Sequence, residues 1–331
     1  MKRQSTLLFG VIAIVAVAAL IFFQKQKSAP ATPPQTQKVS VRMKWFYAGT
    51  MTGWFAGKEQ GAFKDNGIDL EINPGGPDNS SIKLVAAGSD MFGVAGADEV
   101  LIAREKGIPV VAIGVLFKES PICFISKKSK GITSPSQWDG KTVEVSYGDN
   151  SEIQFRALVK KYGVKNIKEV PYTFSLLPFI QDKVDVSVAY KMDQVVTLKG
   201  QGIDLDIISA KEHGINPYGD VVITTEKTLK ENPDLVRRFM EATVKSFQWS
   251  IDHPDQAVPL LIKNTSNLKA ENESQVWHET IPFLTAEGGA SKIGVMNPDR
   301  WKETQDVLLE FKALNKPAVL DQAYKNVLET K

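Results

Sequence analysis

Four short turns hold most of the side chains in this chain that are suited to gripping a small molecule. They read FYAGTMTG (46–53), GGPDNSS (75–81), VAGADE (94–99) and SYGDNSE (146–152). Each mixes glycine with small polar or acidic residues and so offers backbone N–H groups, hydroxyls, amides and carboxylates to a partner. Asn79, Ser80, Asp98, Asp149 and Asn150 are the candidate hydrogen-bonding contacts. Trp45 precedes the first turn and Tyr47 lies in it, while Tyr190 follows a later strand and Tyr218 stands just before the second crossing. Offset stacking adds roughly 0.5–1.5 kcal/mol per ring pair beyond area burial. Trp45 and Tyr190 are therefore the expected pair around a flat heterocycle, with Tyr218 as a lid contact. A plainer reading of the same residues stands beside this one. Asn79, Asp98 and Ser151 are good helix caps, and Ser151 with Gln154 has capping-box spacing.

Charge separates the ligand classes. The turns carry Asp78, Asp98, Glu99, Asp149 and Glu152, Asp193 lies nearby, and Lys118 and Lys191 are the main basic candidates. An anion site needs helix N-termini that are not already neutralised. Acidic turns suit a neutral or cationic ligand that donates N–H groups, such as an aminopyrimidine. Catalytic patterns are missing: the chain has no phosphate-binding G-x-x-x-x-G-K-[ST], no G-x-S-x-G, and three scattered histidines, His213, His253 and His278. The expectation is a binding protein that is not an enzyme and holds no cofactor or metal.

These turns need elements to position them, and the hydrophobic patterning supplies an alternation. VSVRMKWF, IDLEINP, MFGVAG and PVVAIGVL read as strands, separated by helix-like stretches from Thr52, Ser80 and Asp98. A second series opens at KTVEVSYGDNS and runs through the helix EIQFRALVKKYGV to the strands IKEVPY, DVSVAY and DLDIIS. Long amphipathic helices follow, including 232–253, 255–264, 297–315 and 321–330. The pattern predicts an α/β protein of two lobes with largely parallel sheets. Lobe 1 spans 39–125 and 220–331, and lobe 2 spans 126–219. Two crossings, near Ile122–Ser126 and Asp220–Thr225, make a hinge over a cleft, and the C-terminal helices pack on lobe 1. In open parallel sheets ligands sit beyond the carboxyl ends of strands, which is where the four turns fall.

At 331 residues with 43% hydrophobic side chains the chain is long enough for two ordinary lobes. Five bases and no acid in the first 38 residues leave the remainder at −3, although the whole carries +2. An acidic body of this kind argues against nucleic acid as a partner. Residues 1–23 are read as a signal peptide or an N-terminal membrane anchor, because Leu7–Phe23 is uncharged and would be roughly 26 Å long as a helix. Residues 24–38 are a Pro-rich linker. The body is expected outside the cytoplasmic membrane, as a monomer. Its single cysteine, Cys123 within ICFIS, reads as a small buried hydrophobe.

One long stretch carries a family resemblance. The W-F pair at 45–46, the run KEQGAFKDNGIDL, GGPD before a helix, and AAGSDMFGVAGAD resemble the exported substrate-binding proteins of ABC importers in the thiamine-pyrimidine-synthesis-like group. WDGKTV, ENPDLVRRFMEA and NPDRW extend the likeness over Val39–Lys331. The resemblance implies a type II periplasmic binding protein fold with two crossover strands, in the periplasm or on the outer face of the membrane. It implies a permease and its ATPase as partners. The ligand it implies is a thiamine pyrimidine precursor, with riboflavin or a sulfonate or nitrate anion as alternatives. An enzymatic relative that makes the pyrimidine is marked by a C-C-C-F-C run. Here PICFIS has one cysteine, and the family's Asn-Glu pair after the lobe 2 tyrosine is replaced in AYKMDQV.

Overall fold

The computed structural model describes residues 36–328. The first lobe is built on β1 (Gln37–Arg42), β2 (Ile68–Asn73), β3 (Phe92–Ala95) and β4 (Val110–Val115). The alternation in IDLEI does what period-2 patterning requires: Ile68, Leu70 and Ile72 are buried while Asp69 and Glu71 face water. β1 lies between β2 and β3, parallel to both, with Val39 beside Leu70 and Val41 beside Phe92. Crossovers between these parallel strands pass through α1 (Thr52–Glu59), α2 (Ser81–Ala86) and α3 (Ala97–Glu105). β4 is buried at every position, the mark of a strand covered on both faces.

The second lobe has a three-stranded antiparallel sheet in which β5 (Ile122–Lys127) lies between β8 (Ser187–Tyr190) and β9 (Leu205–Ser209). β6 (Thr142–Val145) pairs in parallel with β7 (Lys168–Pro171) and bridges toward β8 at Val143 and Val186. Helices α4 (Asn150–Tyr162), α5 (Leu177–Ile180) and α6 (Gln194–Gly200) connect these strands. Trp138, Phe124 and Phe155 fill the space between sheet and helix.

β10 (Val221–Thr225) then returns to the first sheet and inserts antiparallel between β3 and β4, giving the order β2-β1-β3-β10-β4. Helices α7 (Glu226–Glu231), α8 (Pro233–Asp252), α9 (Pro254–Lys263), α10 (Ala270–Thr285), α11 (Pro298–Glu310) and α12 (Leu320–Ala323) complete the described chain. They pack on the first lobe as expected: the Phe239 ring of α8 stacks 3.8 Å from Phe92 of β3, and Trp54 of α1 lies against Phe239 and Phe247.

Several elements differ from their expected form. Ile122–Ser126 is the middle of the second sheet, because every side chain of ICFIS is buried there, and Val221–Thr225 is a strand of the first. The lobes are joined instead by Leu116–Pro121 and Asn216–Asp220. These segments hydrogen-bond to each other through Leu116 N–H to the Asp220 carbonyl (2.8 Å), Gly219 N–H to the Phe117 carbonyl (2.9 Å) and Ser120 N–H to Asn216 Oδ1 (3.1 Å). The Arg300 guanidinium of α11 donates to a carbonyl in each, Lys118 O and Asn216 O. Helix α10 was not expected; its polar start AENESQ and internal Pro282 hide a buried stripe of Val276, Trp277, Thr280 and Leu284. The expected helix over 321–330 stops at Ala323, because Tyr324 stacks on Trp301 and Lys325 N–H bonds to Ala112 O along β4. The strand expected to begin at Val39 begins at Gln37, inside the stretch read as linker. The segment 1–23 and the linker up to residue 35 lie outside the described residues, and among those described no helix is long and apolar enough to cross a membrane.

Candidate ligand-binding cleft

A cavity of about 190 Å³ opens between the lobes at the carboxyl ends of β1, β2, β3, β6 and β8. All four glycine-bearing turns reach it: Ala48, Thr50 and Met51 from the first, Gly76, Pro77, Ser80 and Ser81 from the second, Val94 and Glu99 from the third, and Ser146 to Ser151 from the fourth. Gly75 explains how the second turn fits. Its N–H donates to the Trp45 carbonyl at 2.9 Å, and a Cβ on it would stand 2.1 Å from the Met43 carbonyl oxygen. Only a residue without a side chain lets this turn lie flat on the backbone that presents Lys44 and Trp45.

Trp45, Ser80, Asp149, Asn150 and Tyr190 line the cavity, five of the nine residues singled out in the sequence. Tyr47 does not. The chain is irregular beyond Arg42, so strand alternation no longer holds; the Tyr47 hydroxyl donates to Ile72 O at 2.8 Å and its ring meets Phe55 edge-on. Asn79 is exposed at the tip of its turn. Asp98 is completely buried but faces a separate cavity behind the first, with Ile153, Gln154 and Arg300. Tyr218 is buried beneath the connecting segments and does not line the cavity: its hydroxyl accepts from Asn297 N–H at 2.9 Å and its ring lies below the Arg300 guanidinium.

Some of the lining groups are committed to their helices. Asp149 caps α4, accepting from Ser151 N–H (2.8 Å), Glu152 N–H (3.3 Å) and the hydroxyls of Ser146 and Ser151. Glu99 Oε2 accepts from Gly96 N–H at 2.7 Å, and a Cβ on Gly96 would collide with Asp98 Oδ1 at 2.3 Å. Other groups have nothing to bind. Lys44 Nζ, Asn150 Nδ2 and Asp220 Oδ1 are out of contact with solvent and find no hydrogen-bond partner among the described residues. All three residues line the cavity.

Lys44 overturns the choice of cation made from the sequence. Lys118 is buried elsewhere, with Glu287 and Lys292 its charged neighbours, and Lys191 is exposed. Among the described residues Lys44 alone brings an ammonium to the cavity walls, 3.3 Å from Glu99 Oε2 and 5.9 Å above the Tyr190 ring. Burial is the largest influence and pulls its pKa down; Glu99, then Tyr190, Asp220 and Asp98, together outweigh that and hold it well above the usual lysine range. Burial pushes Asp220 and Asp193 up to about 6, and keeps the Tyr190 phenol neutral far above neutral pH. The mouth is aromatic. Trp45 of the first lobe meets Phe174 of the second at 5.4 Å between ring centroids, and Phe174, itself against Tyr172, holds φ at 58°. The sequence reading passed over Phe174, although it follows β7 as the other turns follow their strands. It passed over Lys44 because lysine is by default a surface residue.

The family model described as NMT1/THI5 like matches residues 49–257. The chain belongs to that family. It is 25% identical over 316 residues to the riboflavin-binding protein RibY of Chloroflexus aurantiacus, covering 90% of this chain and 88% of that protein. It is 22% identical over 334 residues to the formylaminopyrimidine-binding protein of Halalkalibacterium halodurans, covering 97% of this chain and 99% of that one. The periplasmic aliphatic sulphonate binding protein SsuA of Escherichia coli superposes with a TM-score of 0.69 over 90% of this chain and 95% of its own, at 17% identity. The fold of this NMT1/THI5-like chain is that of a periplasmic binding protein.

Proposed function

We propose that the protein is the extracytoplasmic solute-binding component of an ABC importer, closing on a small nitrogen heterocycle and passing it to a permease with its own ATPase. The observation that carries the reading is the interlobe cavity, walled by Trp45 and Tyr190 and holding three buried polar groups without partners. Buried polar groups are normally hydrogen-bonded, so such a set is a site waiting for complementary atoms. The relatives named for riboflavin and formylaminopyrimidine support a heterocycle. Size favours the smaller: an engineered cavity of about 150 Å³ accepts benzene, so about 190 Å³ suits one substituted ring. A tricyclic flavin needs the lobes further apart. The anion reading rests on Lys44 and is opposed by Glu99, Asp149, Asp193 and Asp220 on the same walls.

Binding without catalysis fits the groups at hand. The Cys123 thiol is fully buried away from the cavity and pushed up to about 12 by burial, so it is no nucleophile. His213 is tied to the Tyr162 hydroxyl at 2.6 Å, and His253 and His278 bond to carbonyls of their own helices. In this reading the lobes divide within Leu116–Pro121 and Asn216–Asp220, so the boundary expected after residue 125 moves ahead of β5, with Leu7–Phe23 delivering the monomeric body across the membrane, cleaved or retained. Thermal-shift and calorimetric titration against N-formyl-4-amino-5-aminomethyl-2-methylpyrimidine, riboflavin, taurine and nitrate tests the reading. A ligand at a hundred times its Kd adds about 2.7 kcal/mol of stability. Stabilisation by the pyrimidine or flavin is expected; stabilisation by taurine or nitrate alone refutes the heterocycle.

A further inference from the structure

Resting on the reading of the cleft as a heterocycle site, we propose that Lys44 is its specificity-determining residue and selects ligands that present an uncharged oxygen acceptor, an oxo, formyl or amide group, to its ammonium. The side chain is only 12% exposed and Nζ makes no hydrogen bond to the described residues. An ammonium carries three donors and a buried one left unpaired is costly. Glu99 cannot serve all of them, because its Oε2 is fixed 2.7 Å from Gly96 N–H as the cap of α3, and at 3.3 Å it supplies charge balance rather than a hydrogen bond. The Tyr190 phenol lies close enough to act on the ammonium and its ring centroid is 5.9 Å away, but neither makes a hydrogen bond of good geometry with Nζ.

A second unpartnered donor lies close by. Asn150 is 2% exposed, and its Nδ2 stands near the point above Gly96 that Glu99 Oε2 and Asp98 Oδ1 also approach. Lys44 from the first lobe and Asn150 from the second therefore converge on one region of the floor. An oxygen seated there accepts from both and ties the lobes together. Asp220 Oδ1, an orphaned acceptor on the crossing segment, suits an adjacent ring N–H or amino group. The charge state of the oxygen follows from its surroundings. Glu99 and Asp220 stand on the cavity wall beside Lys44 and outnumber its single charge, so a full anion meets net repulsion while a carbonyl dipole does not.

The test compares two probes, N-formyl-4-amino-5-aminomethyl-2-methylpyrimidine, which carries an oxygen, and 4-amino-2,5-dimethylpyrimidine, which carries none. Calorimetry on the wild type, Lys44→Met and Glu99→Gln gives the affinities. The wild type should prefer the oxygen-bearing probe by tenfold or more. Lys44→Met, which keeps the stem without the charge, should weaken that probe at least tenfold and alter the oxygen-free one by less than twofold. Equal losses for both probes, or no loss for either, overturn the assignment and leave the heterocycle reading intact. Binding of neither probe by the wild type overturns both. Glu99→Gln keeps an acceptor for Gly96 N–H and removes the counter-charge, so it should retain the oxygen-bearing probe and gain affinity for taurine. Unchanged taurine binding counts against Lys44 even where Lys44→Met fails to fold.

Discussion

Replacing Asp98 by asparagine should flatten the pH dependence of stability. Asp98 is completely buried at the start of α3, and burial first, then the neighbouring Glu99, pushes its carboxyl up to about 7 while Lys44 pulls the other way. In the unfolded chain an aspartate titrates near 3.9. Between these values the folded protein holds a proton that the unfolded chain has released, so Asp98's contribution to stability is most favourable below about pH 4, falls as pH rises to about 7 and levels off above that. The full cost above pH 8 is roughly 4 kcal/mol, about three pKa units at ~1.4 kcal/mol each. More than half of that cost develops between pH 5 and pH 8. The substituted amide keeps an acceptor for the Glu99 N–H that Asp98 Oδ1 now takes at 2.9 Å, and it cannot ionise. Urea unfolding at pH 5 and pH 8 measures both proteins. The Asp98→Asn variant should be the more stable at pH 8, by up to the full amount, and its stability should change less between the two conditions. Asp220 and Asp193, also raised by burial, leave a slope of the same sign in both proteins. Parallel pH profiles would refute the reasoning, because they would mean that Asp98 is ionised in the fold at no cost.

Two other changes test how the site is held. Gly75→Ala sets a methyl 2.1 Å from the Met43 carbonyl, a contact with backbone that cannot yield; it should cost about 1–3 kcal/mol in urea unfolding and weaken pyrimidine binding with it, since Lys44 and Trp45 move together. Arg300→Ala removes the donor shared by Lys118 O and Asn216 O, so the unliganded protein should become more open, seen as a larger radius of gyration in small-angle scattering; an unchanged radius would show that the crossing segments need no such restraint.

What could be read from the sequence was position along the strand. The rule that ligands sit beyond strand carboxyl ends found the four turns, and the structure gathers all four at one cavity. It could not tell which side chain of a turn points inward. Asn79 and Ser80 are neighbours, yet one is exposed at the tip and the other lines the cleft. Asp98 and Glu99 are neighbours too, and the helix start sends Glu99 to the interlobe cavity and Asp98 to a separate one. Tyr218 looked like a lid because it precedes a strand of the first lobe, but only the distant Asn297 and Arg300 show that it supports the hinge. Contacts across 79 and 84 residues leave no local trace in composition or periodicity.

The place of β10 in the first sheet governs the order in which this protein can assemble. β3 and β4 never touch as partners; each pairs with β10, whose residues follow β4 by more than a hundred positions. A chain emerging from the ribosome therefore displays two strand edges with a vacant slot between them until the whole second lobe has been made. Open edges of this kind recruit other strands, and pairings so distant in sequence form slowly. Translation of residues 116–220 thus sets an interval in which the first lobe cannot close, and any machinery that must handle the polypeptide unfolded has that interval in which to act.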